Sequence, residues 1–136
     1  MNDSILTPSF TETLYLLFTI NSATFAVDME QVAEIATIND IKHAPVCFHW
    51  FHDIIGSETN VTAYNYPRAL VVKHKQPQTA IIIEEPKDTV YIPLESMREM
   101  PGLVTRFTNV IWGAAFIGGK PVYLTDLYKI DIFSEL

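Results

Sequence analysis

The stretch VIWGAAFIGGKPVYLTDLYKI, residues 110–130, decides which fold class the sequence predicts. One apolar run ends at Ile117 and a second begins at Pro121, with Gly118, Gly119 and Lys120 between them. A Gly-Gly pair between two apolar runs predicts a β-hairpin, because tight hairpin turns require positive φ. The segment DLYKIDIF that follows is predicted to form a short helix at the end of the chain.

The same alternation of short apolar runs and turn residues extends back along the chain. The predicted strands are residues 14–20, 24–28, 68–73, 79–85 and 89–93. The first two are predicted to form a hairpin around the turn residues Asn21 and Ser22, and the next two a hairpin around the proline-bearing turn HKQPQ. Residues 29–38 are predicted to form one helical turn and then a strand, and residues 94–102 a short helical turn that stops before Pro101. Short strands at regular spacing, separated by turn chemistry, predict an all-β fold with short helices, built as a small barrel or sandwich.

Composition and charge limit the function classes. The chain has 136 residues, of which 49% are hydrophobic and 18% charged, so one globular domain is expected. The net charge of −7 argues against nucleic acid or an anionic membrane as the main partner. The single cysteine favours a reducing compartment, and no signal peptide or membrane-length apolar run is visible, so we expect a cytoplasmic protein without membrane insertion. Residues 1–12 are expected to form a loose N-terminal tail, and residues 13–133 a single domain.

The segment PVCFHWFHDIIG, residues 45–56, concentrates groups that could carry chemistry. On a helix, His49 and His52 would share a face and could bind zinc together with Asp53 or Cys47. On a strand the two histidines would point to opposite sides. The surrounding aromatic and β-branched residues favour an extended segment, and no second cysteine completes a zinc site, so a wall segment of the β-fold is the favoured interpretation.

Other candidate active-site groups have structural interpretations that are at least as good. Cys47 could be a nucleophile paired with a histidine at position 43, 49 or 74, but a lone cysteine in an apolar setting is more often inert. The pair Glu84–Glu85 could serve acid–base chemistry, although adjacent strand residues face opposite ways. The remaining groups considered are the small basic set Arg68, Lys73 and Lys75, and the aromatic residues Trp112, Phe116, Tyr123 and Tyr128. From the residues alone we expect no catalytic site, no metal and no cofactor, and interpret the chain as a β-domain that binds other proteins.

The order of the segments resembles the CheW-like chemotaxis coupling domain family. The resemblance begins with LLFTI, TFAVDMEQ and the Val-x-Glu-Ile element VAEI at residues 32–35, and continues with a proline-led stretch at residues 45–56. It is clearer in the second half, in ALVVK, AIIIEEPKDTVYIP, the connector MREMPG, and the closing run of residues 110–130. Two positions depart from the family pattern, since Trp50 stands where the family has a glycine and Ile55 where it has an arginine.

The resemblance implies two small SH3-like β-barrel subdomains, the first of them trimmed by about one strand after Gly56. It implies a non-catalytic adaptor that binds the regulatory domain of the histidine kinase CheA and the cytoplasmic tips of chemoreceptors. By position in the family motif, the partner-binding residues are Val32, Glu34, Ile35 and Gly56. Gly113 and Asp126 are expected to be structural, through backbone geometry and capping.

Two alternatives stay open at the level of sequence. The chain could be a degenerate CheW-like domain that pairs with itself or with an unrelated partner. It could also be a small-ligand or metal-binding β-domain that uses His49, His52 and Asp53. The oligomeric state is left open.

Overall fold

A computed structural model gives the structure of the chain and describes residues 12–41, 46–55, 64–99 and 110–130. The strands are β1 (Glu12–Ile20), β2 (Ala23–Asp28), β3 (Val32–Ala36), β4 (Cys47–Trp50), β5 (Pro67–Val72), β6 (Thr79–Glu84), β7 (Asp88–Pro93), β8 (Arg98–Glu99), β9 (Ile111–Ile117) and β10 (Lys120–Thr125). The helices are α1 (Ile38–Ile41), α2 (Phe51–Ile54) and the 3₁₀ turns Met29–Gln31, Leu94–Ser96 and Leu127–Lys129. The predicted class, mainly β with short helices, is confirmed.

The strands form two sheets. One has six strands in the order β7-β1-β2-β10-β9-β8, and the other has four in the order β3-β5-β6-β4. Neighbouring strands are antiparallel except for the pairs β2–β10 and β4–β6, which are parallel. The two edges of the larger sheet, β7 and β8, are consecutive in the chain and are joined only by residues 94–97. This short connection brings the edges toward each other, so the larger sheet curls into a half-barrel.

Two tight turns connect the hairpins of the larger sheet. Asn21 and Ser22 join β1 to β2 with φ values of 52° and 72°, and Gly118 and Gly119 join β9 to β10 with φ values of 61° and 81°. Positive φ at both central residues is the geometry whose twist matches that of the flanking strands. These two hairpins and the third predicted one, formed by β5 and β6, are all present.

One apolar core lies between the two sheets. Phe18 of β1 and Phe25 of β2 contact Phe51 of α2 edge-on, with ring centroids 4.8 and 4.9 Å apart. Smaller clusters bury the opposite face of each sheet, which explains why β5 and β6 are apolar almost throughout rather than alternating. The two sheets therefore depend on each other for burial.

Gly113 allows β8 to join the larger sheet. A Cβ at this position would clash with the backbone carbonyl of Arg98 on the neighbouring strand. The pairing of Arg98 with Ala114 and of Glu99 with Gly113 requires this close approach. The structural role expected for Gly113 is thus a steric one.

The histidine-bearing segment is extended only as far as Trp50. The prediction of a continuous extended segment is wrong beyond that point, because α2 begins at Phe51. A helical turn places Phe51 and Ile55, four residues apart, on one side, and both are buried in the core between the sheets. Burial of two large apolar side chains outweighed the β propensity of the local sequence.

Several predicted features lie partly outside the described residues. β1 begins at Glu12, the last residue of the expected tail, and residues 1–11 are outside the description. Gly56, residues 57–63 and the MREMPG connector from residue 100 onward are outside it as well. Among the helices that are described, none has the length and apolar character needed to span a membrane.

Candidate protein-binding site

The β3 strand carries three of the four residues expected to bind partners. β3 lies at the edge of the smaller sheet as described and pairs on one side with β5. The register shifts between Val32 and Glu34, which is the signature of a β-bulge. As a result Ala33, Glu34 and Ile35 are exposed in succession.

The three residues have different environments. Val32 is buried in the core between the sheets, so it supports the strand from beneath. Ile35 is 41% exposed, and Glu34 lies beside it at the surface. We call Glu34 and Ile35 the β3 patch. Gly56, the fourth expected residue, is outside the described part of the chain.

Gln31 fixes the start of β3 between the two sheets. Its Nε2 donates to Asp126 Oδ1 and its Oε1 accepts from the Leu127 backbone N–H, both at 2.8 Å. Its own carbonyl accepts from the Lys73 N–H, also at 2.8 Å, directly after β5. One residue thus links the end of β10 to the strand that carries the β3 patch. No sequence motif marked Gln31 for this role.

A group of carboxylates surrounds this junction. Asp28 caps the turn Met29–Gln31 by accepting from the Glu30 N–H at 2.9 Å. Burial raises the pKa of Asp28, and the nearby charges of Glu30 and Asp126 raise it further. Asp126 in turn caps the last 3₁₀ turn through the Tyr128 N–H at 3.0 Å, which is the capping role expected from the sequence. Burial, followed by the charges of Asp28 and Asp126, raises the pKa of Tyr15 to about 12.

His49, His52 and Asp53 do not come together as a metal site. His49 lies in β4, whereas His52 and Asp53 lie in α2. His52 Nδ1 is 2.8 Å from the Tyr64 hydroxyl, and its Nε2 is 3.5 Å from Asp53 Oδ1. Within the described residues no three His, Cys, Asp or Glu side chains are grouped so that they could hold one ion. The metal-binding alternative therefore gains no support from this part of the chain.

Tyr64 anchors the aromatic group next to α2. Its ring contacts the rings of Trp50 and His52 edge-on, at centroid distances of 5.2 and 5.6 Å. Burial raises the pKa of Tyr64 to about 12, although the hydrogen bond from the His52 backbone opposes the shift. A phenol with so high a pKa stays protonated at neutral pH, so it has the wrong charge state for a nucleophile or a general base.

Glu84 and Glu85 both bind groups of the protein itself. The two oxygens of Glu84 accept from the N–H groups of Asn65 and Tyr66, each at 2.7 Å. Glu85 pairs with Arg68 at 3.2 Å. Both glutamates line an open cleft of about 470 Å³ beside the β1–β2 turn, together with Tyr64 and Tyr66. The expectation that this pair is not an acid–base dyad agrees with these contacts.

The other residues considered from the sequence are dispersed. Cys47 is exposed at the start of β4, and His74 lies in the β5–β6 connection with φ of 63°. Lys75 donates to the carbonyl of Ile130 at 3.0 Å, so it ties the β5–β6 connection to the end of the described chain. Among the aromatic residues, Tyr123 packs against the core, while Phe116 of β9 and Tyr128 of the last 3₁₀ turn are exposed.

Comparison with known proteins gives a result at the level of the fold. No family model matches the sequence, and no curated protein matches it. The structure is similar to that of the scaffolding protein TtCheW from Thermoanaerobacter tengcongensis, with a TM-score of 0.66 and 15% sequence identity. The match covers 85% of this chain and 84% of the other. The chain therefore has a CheW-like fold, as the resemblance in its sequence predicted.

Proposed function

We propose that this protein is a non-catalytic adaptor of chemotaxis-type signal transduction, which joins the regulatory domain of a CheA histidine kinase to chemoreceptors in the cytoplasm. The observation that carries the proposal is the CheW-like fold, shared over 85% of the chain with a protein described as a scaffold. The dispersal of the reactive side chains in the described residues is consistent with a binding role. Such a role needs a rigid surface and no reacting group.

The β3 patch is the surface that we assign to partner binding. An exposed isoleucine next to an exposed carboxylate, on a strand held firmly by Gln31, offers an apolar contact with a polar rim. Val32 supports this surface from the core, and Gly56 completes the proposed set. Ile55, at the position of the family's arginine, is buried. Binding to the kinase and binding to the receptor therefore need separate tests.

The test is binding of the purified protein to two immobilised partners, a CheA regulatory domain and a chemoreceptor cytoplasmic tip from the same organism. We expect Ile35→Ser and Glu34→Lys each to weaken binding to at least one partner by about tenfold or more, as loss of a central contact does in other interfaces. Phe116→Ser is the matched control, because Phe116 is an exposed apolar residue on the other sheet. It should bind as the wild type does.

The outcomes separate the parts of the proposal. If the wild-type protein binds neither partner, the adaptor role is refuted and only the fold remains. If it binds and the control loses as much affinity as Ile35→Ser, the role stands but the β3 patch is the wrong surface.

A further inference from the structure

The free edges of the two sheets differ in how they are protected. Among the described residues, β3 carries an exposed glutamate and a bulge, β7 begins with Asp88 and ends with Pro93, and β8 consists only of Arg98 and Glu99. Charges, prolines, bulges and short length are the usual means by which an edge strand avoids pairing with another chain. The remaining described edge, β4, is the four-residue strand Cys-Phe-His-Trp, and it carries no formal charge, no proline and no bulge.

The outward side of β4 pairs with no other strand among the described residues, and β4 also carries two exposed aromatic side chains. Cys47 donates its N–H to the Gln78 carbonyl, and the parallel register pairs Phe48 with Ala80 and Trp50 with Ile82. Because alternate residues of a strand point their backbone groups to opposite sides, those of Cys47 and His49 face β6 and those of Phe48 and Trp50 face outward. Phe48 and Trp50 also share one face of the sheet and are 40% and 42% exposed.

We propose that β4 pairs antiparallel with β4 of a second copy of this chain, around a two-fold axis at His49. In this register Phe48 of each copy lies opposite Trp50 of the other. Each such pair can form one backbone hydrogen bond, from the Trp50 N–H to the Phe48 carbonyl, because the Trp50 carbonyl belongs to the N-cap of α2. The four-stranded sheets of the two copies would then form one sheet of eight strands, in the order β3-β5-β6-β4-β4-β6-β5-β3.

The side chains favour a second copy over an unrelated peptide. The register places two aromatic pairs, Phe48 with Trp50 and its symmetry mate, side by side on one face, which is a favourable cross-strand combination. β4 carries no formal charge, so two copies of a chain with net charge −7 can meet here without like charges opposed in the strand. The contact is small, so we infer a weak and reversible dimer rather than an obligate one.

Sedimentation velocity of the full chain, from micromolar to millimolar concentration, tests the pairing. We expect the wild type to shift from monomer to dimer in this range. Trp50→Pro removes the outward N–H, and the φ of −82° at this position suits proline. Phe48→Lys places a charge in the aromatic face. Each should weaken self-association by at least about tenfold, since edge hydrogen bonds or aromatic pairs are lost.

Tyr91→Lys is the control, because Tyr91 is an exposed aromatic residue on the β7 edge. It should self-associate as the wild type does. A wild type that stays monomeric at millimolar concentration would overturn the proposal. So would a dimer that survives both β4 substitutions with circular dichroism unchanged, or one that Tyr91→Lys abolishes equally.

Crosslinking tests the register. In the double variant Cys47→Ala/His49→Cys, the introduced cysteines of the two copies face each other across the axis. Their Cα atoms would be about 4.5 Å apart, which is within reach of a disulfide. In the wild type the two Cys47 residues would be roughly 14 Å apart, too far to bond. Mild oxidation should therefore give a covalent dimer of the double variant only. Crosslinking of wild-type Cys47 with equal efficiency would exclude this register. The inference does not depend on the proposed adaptor role.

Discussion

Asp28 illustrates how a single side chain can hold a turn and still cost stability. It accepts the Glu30 N–H at the point where β2 passes into the first 3₁₀ turn. Burial, followed by the charges of Glu30 and Asp126, raises the pKa of Asp28 above the ordinary value of 3.8, and the hydrogen bond from the Glu30 N–H opposes this shift only in part. The folded protein therefore holds the Asp28 proton more tightly than the unfolded chain does. The stability that this proton contributes is complete below the ordinary pKa, and it is lost as the pH rises through the folded value.

Asp28→Asn should therefore stabilise the protein at pH 7 and have little effect in acid. Asparagine keeps the capping oxygen and removes the charge. Because the side chain is only partly buried, solvent screening should keep the gain below about 1 kcal/mol. Urea denaturation from pH 7 down to about pH 3, below the ordinary pKa of the carboxyl group, measures the difference. Asp28→Ala is the control, since it loses the cap and should be less stable than wild type in acid. A gain from asparagine that does not change with pH would contradict the charge explanation.

At the scale of elements, the joint formed by Gln31 connects β10, β3 and the end of β5. Replacing Gln31 by glutamate keeps the shape and the bond to Leu127, but it places a carboxylate against Asp126 where an N–H donor stood. We expect Gln31→Glu to lower the free energy of unfolding by about 1–3 kcal/mol at neutral pH, since the partly buried hydrogen bond to Asp126 becomes a repulsive contact between two carboxylates. The loss should shrink as the pH falls and the pair takes up a proton.

The exposed Gln76 in the β5–β6 connection provides a matched control for this prediction. Gln76→Glu makes the same chemical change at the surface and should alter stability by no more than about 0.5 kcal/mol. Chemical denaturation of both variants makes the comparison. Equal effects at the two positions would mean that Gln31 does not link the sheets energetically.

Elements differ in how far local sequence determined them. Each strand flanked by turn residues was predictable, since alternation and turn chemistry are local signals. β8 was not, because a two-residue strand exists only through its pairing with β9 and the space left by Gly113. Likewise α2 replaced a predicted extended segment because Phe51 and Ile55 reach the core only from a helical turn.

At the scale of the whole molecule, the two sheets share one core and should unfold together. The chain places one tryptophan in each sheet, Trp50 in β4 and Trp112 in β9. The single-tryptophan variants Trp112→Phe and Trp50→Phe therefore report on the two sheets separately. We expect their fluorescence and circular dichroism transitions to coincide, as they do for a two-state domain.

A core substitution sharpens this prediction. Phe51 of α2 contacts Phe18 and Phe25 of the larger sheet. Phe51→Leu, introduced into each single-tryptophan variant, should therefore lower both midpoints together and reduce the free energy of unfolding by about 1 kcal/mol or more. These measurements belong at low micromolar concentration, below the range of the proposed pairing. Separate midpoints for the two reporters, or a shift confined to Trp50, would show two independent units.

The sequence alone determined the β class, the two hairpins with positive φ and the resemblance to the CheW-like family, because spacing and turn residues are properties of neighbouring positions. It also placed three of the four expected partner-binding residues, Val32, Glu34 and Ile35, within one short stretch of the chain. Only the tertiary structure decided that Val32 is core while Glu34 and Ile35 are surface, and that Gln31 joins the sheets. It alone showed that β4, among the described edges, has no formal charge, proline or bulge. Burial, edge position and contacts between residues about 95 positions apart, such as Gln31 and Asp126, arise when distant segments pack, and no local pattern encodes them.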